Sequence, residues 1–201
     1  MTAGGLVFTS PRGKILAATA RTVDRHGYRQ TTVAAIALEA GVPVRDVRRL
    51  VGDEEACFYA LFGAFFHQAF TLVLQQTQDV PWPQSARDGL AAFLELLASE
   101  PVYVRACVDG VRALGVDGGL RLETAVEAFT AFLTPGYDAL AEPNVPVFQG
   151  QLIGATVLHV ITRHVLEARI PELPQALPEV LAIALIPFCT AQDIDSLLIA
   201  G

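Results

Sequence analysis

Apolar residues recur along the chain at the three- and four-residue spacing of helices, and no segment combines strand alternation with hairpin turns. Prolines and glycines divide this pattern into about nine predicted helices. The predicted helices cover about 11–26, 33–40, 43–51, 54–78, 84–99, 101–115, 120–134, 147–168 and 178–190. We therefore predict an all-α protein with a three-helix N-terminal domain, residues 1–52, and a larger helical domain, residues 53–201.

The second and third predicted helices are short and are joined by a tight turn within residues 31–52. Thr31 or Thr32 is placed to cap the first of them, because a threonine oxygen accepts a free backbone N–H at a helix start. Gly41 lies just past its last turn, where glycine tolerates a positive φ. Pro43 falls in the first turn of the next helix, where a missing N–H costs little. The pattern predicts a helix-turn-helix.

Three arginines share one face of the third predicted helix. At 100° per residue, Arg45, Arg48 and Arg49 fall within about 100° of arc. The opposite side carries the apolar residues Val44, Val47, Leu50 and Val51. A short helix with an apolar back and a cationic front fits the major groove of DNA. The alternative is a surface helix whose basic face is solvated.

The charge of the chain is divided unevenly. Residues 1–52 hold eight Lys and Arg against three Asp and Glu, a net charge of +5, whereas the rest of the chain carries −12. The overall charge of −7 hides this division. A basic N-terminal quarter on an acidic protein indicates one end that faces a polyanion and another that avoids nucleic acid.

The composition indicates a large core, because 52% of the residues are hydrophobic and 17% are charged. This apolar share is high for a monomer of this size, which predicts an internal cavity, a subunit interface or both. Cys57, Cys107 and Cys189 are odd in number and widely spaced, which favours reduced thiols over disulfides. The N-terminus lacks a signal-peptide pattern, and no uninterrupted apolar run approaches the ~18 residues of a membrane span. We predict a soluble cytoplasmic protein with no membrane partner.

Catalytic and metal-binding patterns are absent from the sequence. There is no GxSxG, P-loop, GxGxxG or HExxH motif. His159 and His164 do not share one helical face, and no carboxylate or cysteine nearby completes a ligand set. Asp193 and Asp195 are interpreted as part of a solvated C-terminal tail. We predict that the protein is not an enzyme and has no catalytic residue, metal or cofactor.

Several short motifs recur with a distinctive spacing between residues 14 and 62. They are Ile15-Leu16, Gly27-Tyr28, Thr31-Thr32-Val33, Ile36-Ala37 and Ala40-Gly41-Val42. This combination resembles the N-terminal pattern of the tetracycline-repressor (TetR) family of bacterial transcriptional regulators. The rest of the chain carries no family motif, but its length and helical pattern fit a ligand-binding and dimerisation domain. The resemblance implies a repressor that a small molecule releases from its operator.

The resemblance also implies partners and contact residues. A homodimer through the last two helices would set two recognition helices about one DNA turn, ~34 Å, apart on a double-stranded operator. The implied DNA contacts are Thr31, Thr32, Val44, Arg45, Asp46, Arg48 and Arg49. Arg45 and Arg48 are the candidate base readers, and the two threonines remain open to the simpler role of helix caps.

Candidate effector contacts lie on the predicted helices of the larger domain. They are Phe66, His67, Phe70, Phe93, Tyr103, Cys107, Phe129 and Gln151. Each aromatic residue among them has an alternative role in core packing, and His67 has one as a hydrogen-bonded interior or interface histidine. A mostly apolar lining with few polar groups predicts a small hydrophobic or aromatic effector.

Two departures from the family pattern keep other functions open. The family usually holds an aromatic residue where this chain has Arg48, and a basic residue near the start of the fourth helix where it has Glu54. A carboxylate close to phosphate would weaken non-specific affinity for DNA. The alternative is a regulator-like module that binds a ligand or a protein and no longer reads DNA. An all-helical enzyme with an apolar cavity is a third hypothesis.

Overall fold

The computed structural model describes residues 10–76, 80–138 and 148–199, and these contain helices and no strand. The α helices are α1 (Pro11–His26), α2 (Val33–Ala40), α3 (Val44–Leu50), α4 (Glu54–Gln76), α5 (Gln84–Ser99), α6 (Pro101–Leu114), α7 (Val116–Phe132), α8 (Thr134–Asp138), α9 (Phe148–Leu166), α10 (Leu177–Leu185) and α11 (Ala191–Ile199). Two 3-10 helices, Tyr28–Gln30 and Ile170–Ala176, complete the described elements. The predicted all-α class is confirmed, whereas the predicted count of about nine is too low because the pattern missed α8 and α11.

The last helix corrects the interpretation of the C-terminus. The carboxylate of Asp193 accepts hydrogen bonds from the backbone N–H of Thr190 at 3.0 Å and from its hydroxyl at 2.6 Å. The Thr190 hydroxyl in turn accepts from the backbone N–H of Asp193 at 3.3 Å. This reciprocal cap starts α11, and the Thr190 hydroxyl holds the pKa of Asp193 below its ordinary value. The prediction of a C-terminal tail is wrong, because Asp193 and Asp195 belong to a helix, although both residues are exposed to solvent as predicted.

The described residues divide into two compact units. The first contains residues 10–69 and 99–121, and the second contains residues 70–76, 80–98, 122–138 and 148–199. The first unit therefore includes α1 to α3, most of α4, α6 and the start of α7, and it extends past the predicted domain boundary at residue 52. Segments that are distant along the chain meet within it.

The first unit is built around α1. Ser10 caps this helix, since its hydroxyl oxygen accepts the backbone N–H of Gly13 at 3.0 Å. The buried face of α1 packs against both α2 and α6. Ile15 belongs to the apolar cluster shared with α2 and α3, and Leu16 and Val23 belong to the cluster shared with α4 and α6. Two rows of side chains on one helix thus hold the other helices of the unit.

The part of α4 in the first unit contributes a row of large buried side chains. They are Phe58, Leu61, Phe62 and Phe65. The stretch Glu54–Gln75, with a mean hydropathy of 1.6, is long and apolar enough to cross a membrane by length and composition. The core helix of a soluble protein passes the same test. The buried phenylalanines explain this apolar pattern as part of a core.

In the second unit, α9 packs against α10. The buried aliphatic side chains of these helices are Ile153, Val157, Val160, Ile161, Val180, Leu181, Ala184 and Leu185. Arg163 of α9 donates from one nitrogen to both carboxylate oxygens of Glu179 on α10, at 3.0 and 3.2 Å. The pair of helices is therefore held by an apolar core with one polar link at its edge.

The short helix α8 also belongs to the second unit. Pro135 and Gly136, predicted to end a helix, instead lie inside α8, because proline is compatible with a first helical turn. A Cβ on Gly136 would lie 2.5 Å from the ring of Trp82. The Trp82 ring meets Phe188 edge-on, with ring centroids 5.9 Å apart. The glycine thus lets the backbone of α8 approach a large aromatic side chain.

Candidate nucleic-acid interface

The predicted helix-turn-helix is formed by α2 and α3. Gly41 follows α2 in the left-handed conformation, with φ 68°, which glycine adopts without strain. The backbone N–H of Val42 then donates to the carbonyl of Ala37 at 3.0 Å. Pro43 precedes α3 in an extended conformation. The turn is closed by its own backbone hydrogen bonds, so its geometry follows from local sequence.

The inner side of α3 is anchored in the first unit. Val47 is fully buried, in one apolar cluster with Val33 and Ile36 of α2, Ile15 of α1 and Cys57 of α4. Complete burial of a valine stabilises a fold by about 1.5–3 kcal/mol. Burial also raises the pKa of the Cys57 thiol to about 11, which keeps it protonated and apolar. With Val47 held inside, the opposite face of α3 must point outward.

The outward face of α3 presents three exposed arginines, as predicted. Arg49 lies 3.4 Å from Asp46, and its side chain remains 68% exposed. Among the described residues, neither Arg45 nor Arg48 has a carboxylate within 4.0 Å. Two guanidinium charges therefore remain available to an anionic partner.

Two apolar side chains are exposed on the same motif. The helical pattern places Val44 on the apolar back of α3, yet the side chain is 40% exposed. Leu38 of α2 is 85% exposed, and the sequence pattern did not single it out. Apolar groups of this kind can contact a thymine methyl group. The sequence gives one signal for Leu38: it is a large apolar residue at a position of α2 that does not share the helical face of the buried residues Val33, Ile36 and Ala37.

The structure separates the roles of the two threonines. Thr32 is exposed and caps α2, its hydroxyl oxygen accepting the backbone N–H of Ala35 at 3.2 Å. Thr31 is buried, and its hydroxyl donates to the carbonyl of Gly27 at 3.0 Å. The capping role is confirmed for Thr32. Thr31 differs from the predicted DNA-facing position, because its buried hydroxyl is hydrogen-bonded to the backbone inside the unit.

The carboxylate of Glu54 has a structural partner at the start of α2. It accepts the backbone N–H of Val33 at 2.8 Å. This hydrogen bond, followed by the backbone N–H of Glu54 itself and the positive charge of Arg48, lowers the pKa of Glu54 below its ordinary value. A negative charge at a helix N-terminus is stabilising. Glu54 therefore joins α4 to α2, a role that its sequence position did not reveal.

Glu39 of α2 is held by two arginines of α1. Arg21 donates from Nε at 2.6 Å and Arg25 from Nη1 at 2.9 Å. These hydrogen bonds lower the pKa of Glu39. Arg21 and Arg25 contribute to the basic N-terminal quarter, but in the structure both pair with Glu39 and link α1 to α2.

Two further polar contacts attach α6 to the same unit. Arg105 donates to Asp24 of α1 from Nε at 2.5 Å and Nη2 at 2.9 Å, a two-pronged ion pair. One turn later, Asp109 accepts the backbone N–H of Tyr28 at 2.7 Å. The helix-turn-helix is thereby positioned by α1, α4 and α6 together.

Solved structures with a similar fold cover most of the chain. FadR, the fatty acid degradation regulator of Bacillus halodurans, aligns over 89% of this chain and 97% of its own, at a TM-score of 0.76 and 16% identity. FadR of Bacillus subtilis in complex with stearoyl-CoA aligns over 85% of this chain and 96% of its own, at a TM-score of 0.72 and 19% identity. SmeT is the repressor of the Stenotrophomonas maltophilia multidrug efflux pump SmeDEF. Its complex with triclosan aligns over 90% of this chain and 92% of its own, at a TM-score of 0.68 and 18% identity.

These structural neighbours are TetR-family regulators. The chain has the TetR-family fold. No protein-family model and no curated protein matches the sequence itself. The resemblance drawn from residues 14–62 is confirmed at the level of the fold and extends to about 90% of the chain.

Within this TetR-family fold, the candidate effector residues fall in both compact units. Phe66, His67, Tyr103 and Cys107 belong to the first unit, and Phe70, Phe93, Phe129 and Gln151 belong to the second. The side chain of Phe129 lies outside the described part of the structure. His67 and Gln151 are exposed, whereas Phe70 and Phe93 are half-buried. Their role as effector contacts stays a prediction.

Three candidates of the first unit make internal contacts. The ring of Tyr103 stacks on Phe65 with centroids 6.2 Å apart and planes 1° from parallel. Phe66 packs on Phe62 with a centroid distance of 4.6 Å. Burial raises the pKa of Cys107 to about 12, so its thiol remains neutral. These contacts match the core-packing role that the sequence left open for Phe66 and Tyr103.

The two histidines for which the sequence predicts no metal site lie on α9. His159 is exposed, whereas His164 is buried with its Nδ1 2.9 Å from the carbonyl oxygen of Val160. Within the described residues, no group of three or more His, Cys, Asp or Glu side chains could hold a metal ion.

Proposed function

We propose that this protein is a transcriptional regulator that inserts α3 into the major groove of a double-stranded DNA operator. The observation that carries the proposal is the pair of exposed guanidinium groups of Arg45 and Arg48, which have no ion-pair partner among the described residues and stand on a helix anchored by Val47. Guanidinium forks match the O6 and N7 acceptors of guanine and the oxygens of phosphate. The TetR-family fold of known regulators supports the same role.

The exposed residues of the motif receive different roles in this proposal. Arg45 and Arg48 read base edges, and Arg49, steadied by Asp46, contacts a phosphate. Val44 contacts a thymine methyl group. Residues 1–52 then form the DNA-reading domain and residues 53–201 the effector-binding and dimerisation domain. The protein works in the cytoplasm as a non-enzymatic regulator.

Glu54 is one of the two departures from the family pattern, with Arg48, that support a module that no longer reads DNA. Its carboxylate accepts the backbone N–H of Val33, so it serves the start of α2 inside the motif. A negative charge that stabilises the helix-turn-helix favours a working DNA-binding domain over a degenerate one. The module remains the alternative against which the DNA experiment is designed.

A homodimer would place two copies of α3 on one operator. The helices predicted at 147–168 and 178–190 to form the dimer correspond to α9 and α10, and α11 follows them. Leu166 at the end of α9 and Ile186 just after α10 are large apolar residues at the surface. Covering such side chains favours association. Light scattering should give twice the chain mass of 21.5 kDa, and a monomeric mass would contradict the proposed dimer.

We assign the effector to the class of small hydrophobic or aromatic molecules. The support is the hydrophobic share of 52% and the fold shared with FadR bound to stearoyl-CoA and with SmeT bound to triclosan. An effector releases a repressor only if it binds the free conformation more tightly than the DNA-bound one. Addition of a fatty acyl-CoA or triclosan to the DNA complex should lower its anisotropy. No response to a panel of apolar compounds would contradict this assignment.

Fluorescence anisotropy with tiled DNA from around the coding region, over a series of salt concentrations, tests the DNA-binding proposal. We expect selective binding whose log affinity falls linearly with log salt, because phosphate contacts release counterions. Joint replacement of Arg45 and Arg48 by alanine should weaken specific binding about 100-fold or more, since a bidentate base contact contributes about 1–3 kcal/mol.

Arg169→Ala is the matched control, because it removes a partly exposed arginine of the second unit that lies outside α9 and α10 and pairs with Glu167. Its affinity for DNA should equal that of the unaltered protein. Selective binding that survives the loss of Arg45 and Arg48 would contradict the role of α3. No selective binding even to random genomic fragments would favour the module that no longer reads DNA.

A further inference from the structure

A cleft of about 430 Å³ opens in the first compact unit, between the 3-10 turn Tyr28–Gln30 and the last part of α6. The side chains that line it include His26, Tyr28, Arg29, Gln30, Asp109 and Arg112. None of them belongs to the predicted DNA or effector contacts. The volume lies within the range of sites for small molecules.

The two arginines of this cleft are not neutralised by the protein. Arg29 and Arg112 are exposed, and neither has a carboxylate within 4.0 Å in the part of the chain that the structure describes. The arginines that do have one are Arg21, Arg25, Arg49, Arg87, Arg105, Arg163 and Arg169. Arg45 and Arg48, proposed to meet DNA, share the unpaired state. The cleft therefore presents two guanidinium groups that have no ion-pair partner among the described residues.

The one carboxylate that lines the cleft is already engaged. Asp109 accepts the backbone N–H of Tyr28 at 2.7 Å, which joins the turn to α6. Tyr28 adds no negative charge, because a tyrosine is protonated at neutral pH, and burial raises its pKa further, to about 12. This hydrogen bond leaves the negative charge of Asp109 in place, so two guanidinium groups and one carboxylate give these three lining groups a net charge of +2 − 1 = +1.

We propose that this cleft binds the phosphate group of a small phosphorylated molecule. Guanidinium groups donate paired hydrogen bonds to phosphate oxygens, and a phosphomonoester carries a charge of about −1.5 to −2 at pH 7. Arg29 approaches from the turn before α2 and Arg112 from α6, so one anion can be held from two sides. The cleft exceeds the size of a phosphate ion, which leaves room for an organic group beside Gln30. The site does not depend on DNA reading by α3.

Isothermal titration of the full chain with inorganic pyrophosphate tests this proposal, with sodium chloride at equal ionic strength as the reference. We expect saturable binding that weakens about tenfold or more in Arg29→Gln and in Arg112→Gln, because each change removes a charged hydrogen-bond donor. Arg163→Gln, on α9 of the second unit, is the matched control and should keep the original affinity. Circular dichroism verifies that each variant is folded.

No binding at millimolar pyrophosphate, or equal binding by Arg29→Gln, Arg112→Gln and the unaltered chain, would overturn the proposal. Loss of binding in Arg45→Gln alone would place the anion on α3 and would also overturn it. Titration with duplex DNA separates the two sources of phosphate. Unchanged DNA affinity in Arg29→Gln and Arg112→Gln supports a free phosphorylated molecule. Weaker DNA binding with a smaller salt slope would assign the cleft to a DNA phosphate instead and contradict the small-molecule source.

Discussion

Arg105 of α6 binds Asp24 of α1 in the first compact unit, across 81 residues of sequence. Asp109 reaches Tyr28 across the same separation. In the second unit, the described ion pairs join residues between one and 16 positions apart, and the longest is Arg163 with Glu179. The first unit is thus linked by polar bonds between distant segments, whereas the described ion pairs of the second unit join residues that are close in sequence.

This difference in polar bonds indicates that the angles between helices are specified more closely in the first unit than in the second. Hydrogen bonds and ion pairs are directional, and they specify how one helix is turned against another. Apolar contact is non-directional and tolerates small shifts. For the DNA-reading role proposed for α3, the first kind of attachment is an advantage, because the helix would have to match the spacing of a DNA groove.

Among the substitutions that test this comparison, replacement of Gly110 by alanine should have the largest effect on the free energy of unfolding. A Cβ at this position of α6 would lie 2.1 Å from the Phe58 ring, so close packing would also constrain the first unit. We expect a loss of about 1–3 kcal/mol in the free energy of unfolding, measured by urea denaturation. Gly63→Ala is the control, because nothing lies within 4 Å of its Cβ, and it should stabilise α4 by about 1 kcal/mol. Unchanged stability of Gly110→Ala would show that the Phe58 ring can move aside and that this close contact does not constrain α6.

Replacement of Glu54 by glutamine should have an intermediate effect. Loss of the charged cap on α2 should cost about 1 kcal/mol at neutral pH. The folded-state pKa of Glu54 is lowered, so its stabilisation is present above the ordinary value of 4.5 and is lost as pH falls through the lowered pKa.

Urea denaturation between pH 7 and pH 3 measures this contribution. Glu54→Gln should lose less stability over that range than the unaltered protein, although the acid sensitivity due to Glu39 remains in both. Glu55→Gln alters an exposed carboxyl on the same turn and should follow the original curve. Parallel pH curves for Glu54→Gln and the unaltered protein would refute the cap.

Exchange of arginine for lysine should have the smallest effect on stability, and it compares the ion pairs of the two units directly. Arg105→Lys loses a fork in which two nitrogens meet both oxygens of Asp24, and we expect a cost of about 0.5–1 kcal/mol. Arg163→Lys replaces a contact made by a single nitrogen to Glu179 and should cost less than about 0.5 kcal/mol. Thermal unfolding of both variants compares the units, and equal shifts would remove the distinction between them.

The sequence by itself determined most of the helices, although not α8 and α11, and the outward face of α3. Apolar spacing, Gly41 and Pro43 specify helix limits through interactions within a few residues, and those rules act the same way in any fold. The exposed position of Arg45, Arg48 and Arg49 follows from the helical period once the buried side is known. The pattern failed at α11, where Asp193 stands in the cap position that a glutamate more commonly fills.

Only the tertiary structure decided how these helices are held. It buried Thr31, engaged Glu54 at the start of α2, and brought Arg29 and Arg112 to one cleft although 83 residues separate them. Such contacts depend on which segments meet after the chain has folded, and charge or hydropathy along the sequence carries no record of the partner. A basic N-terminal quarter was visible from composition. Which of its arginines are free to bind an anion depends on distances between segments that are remote in the chain.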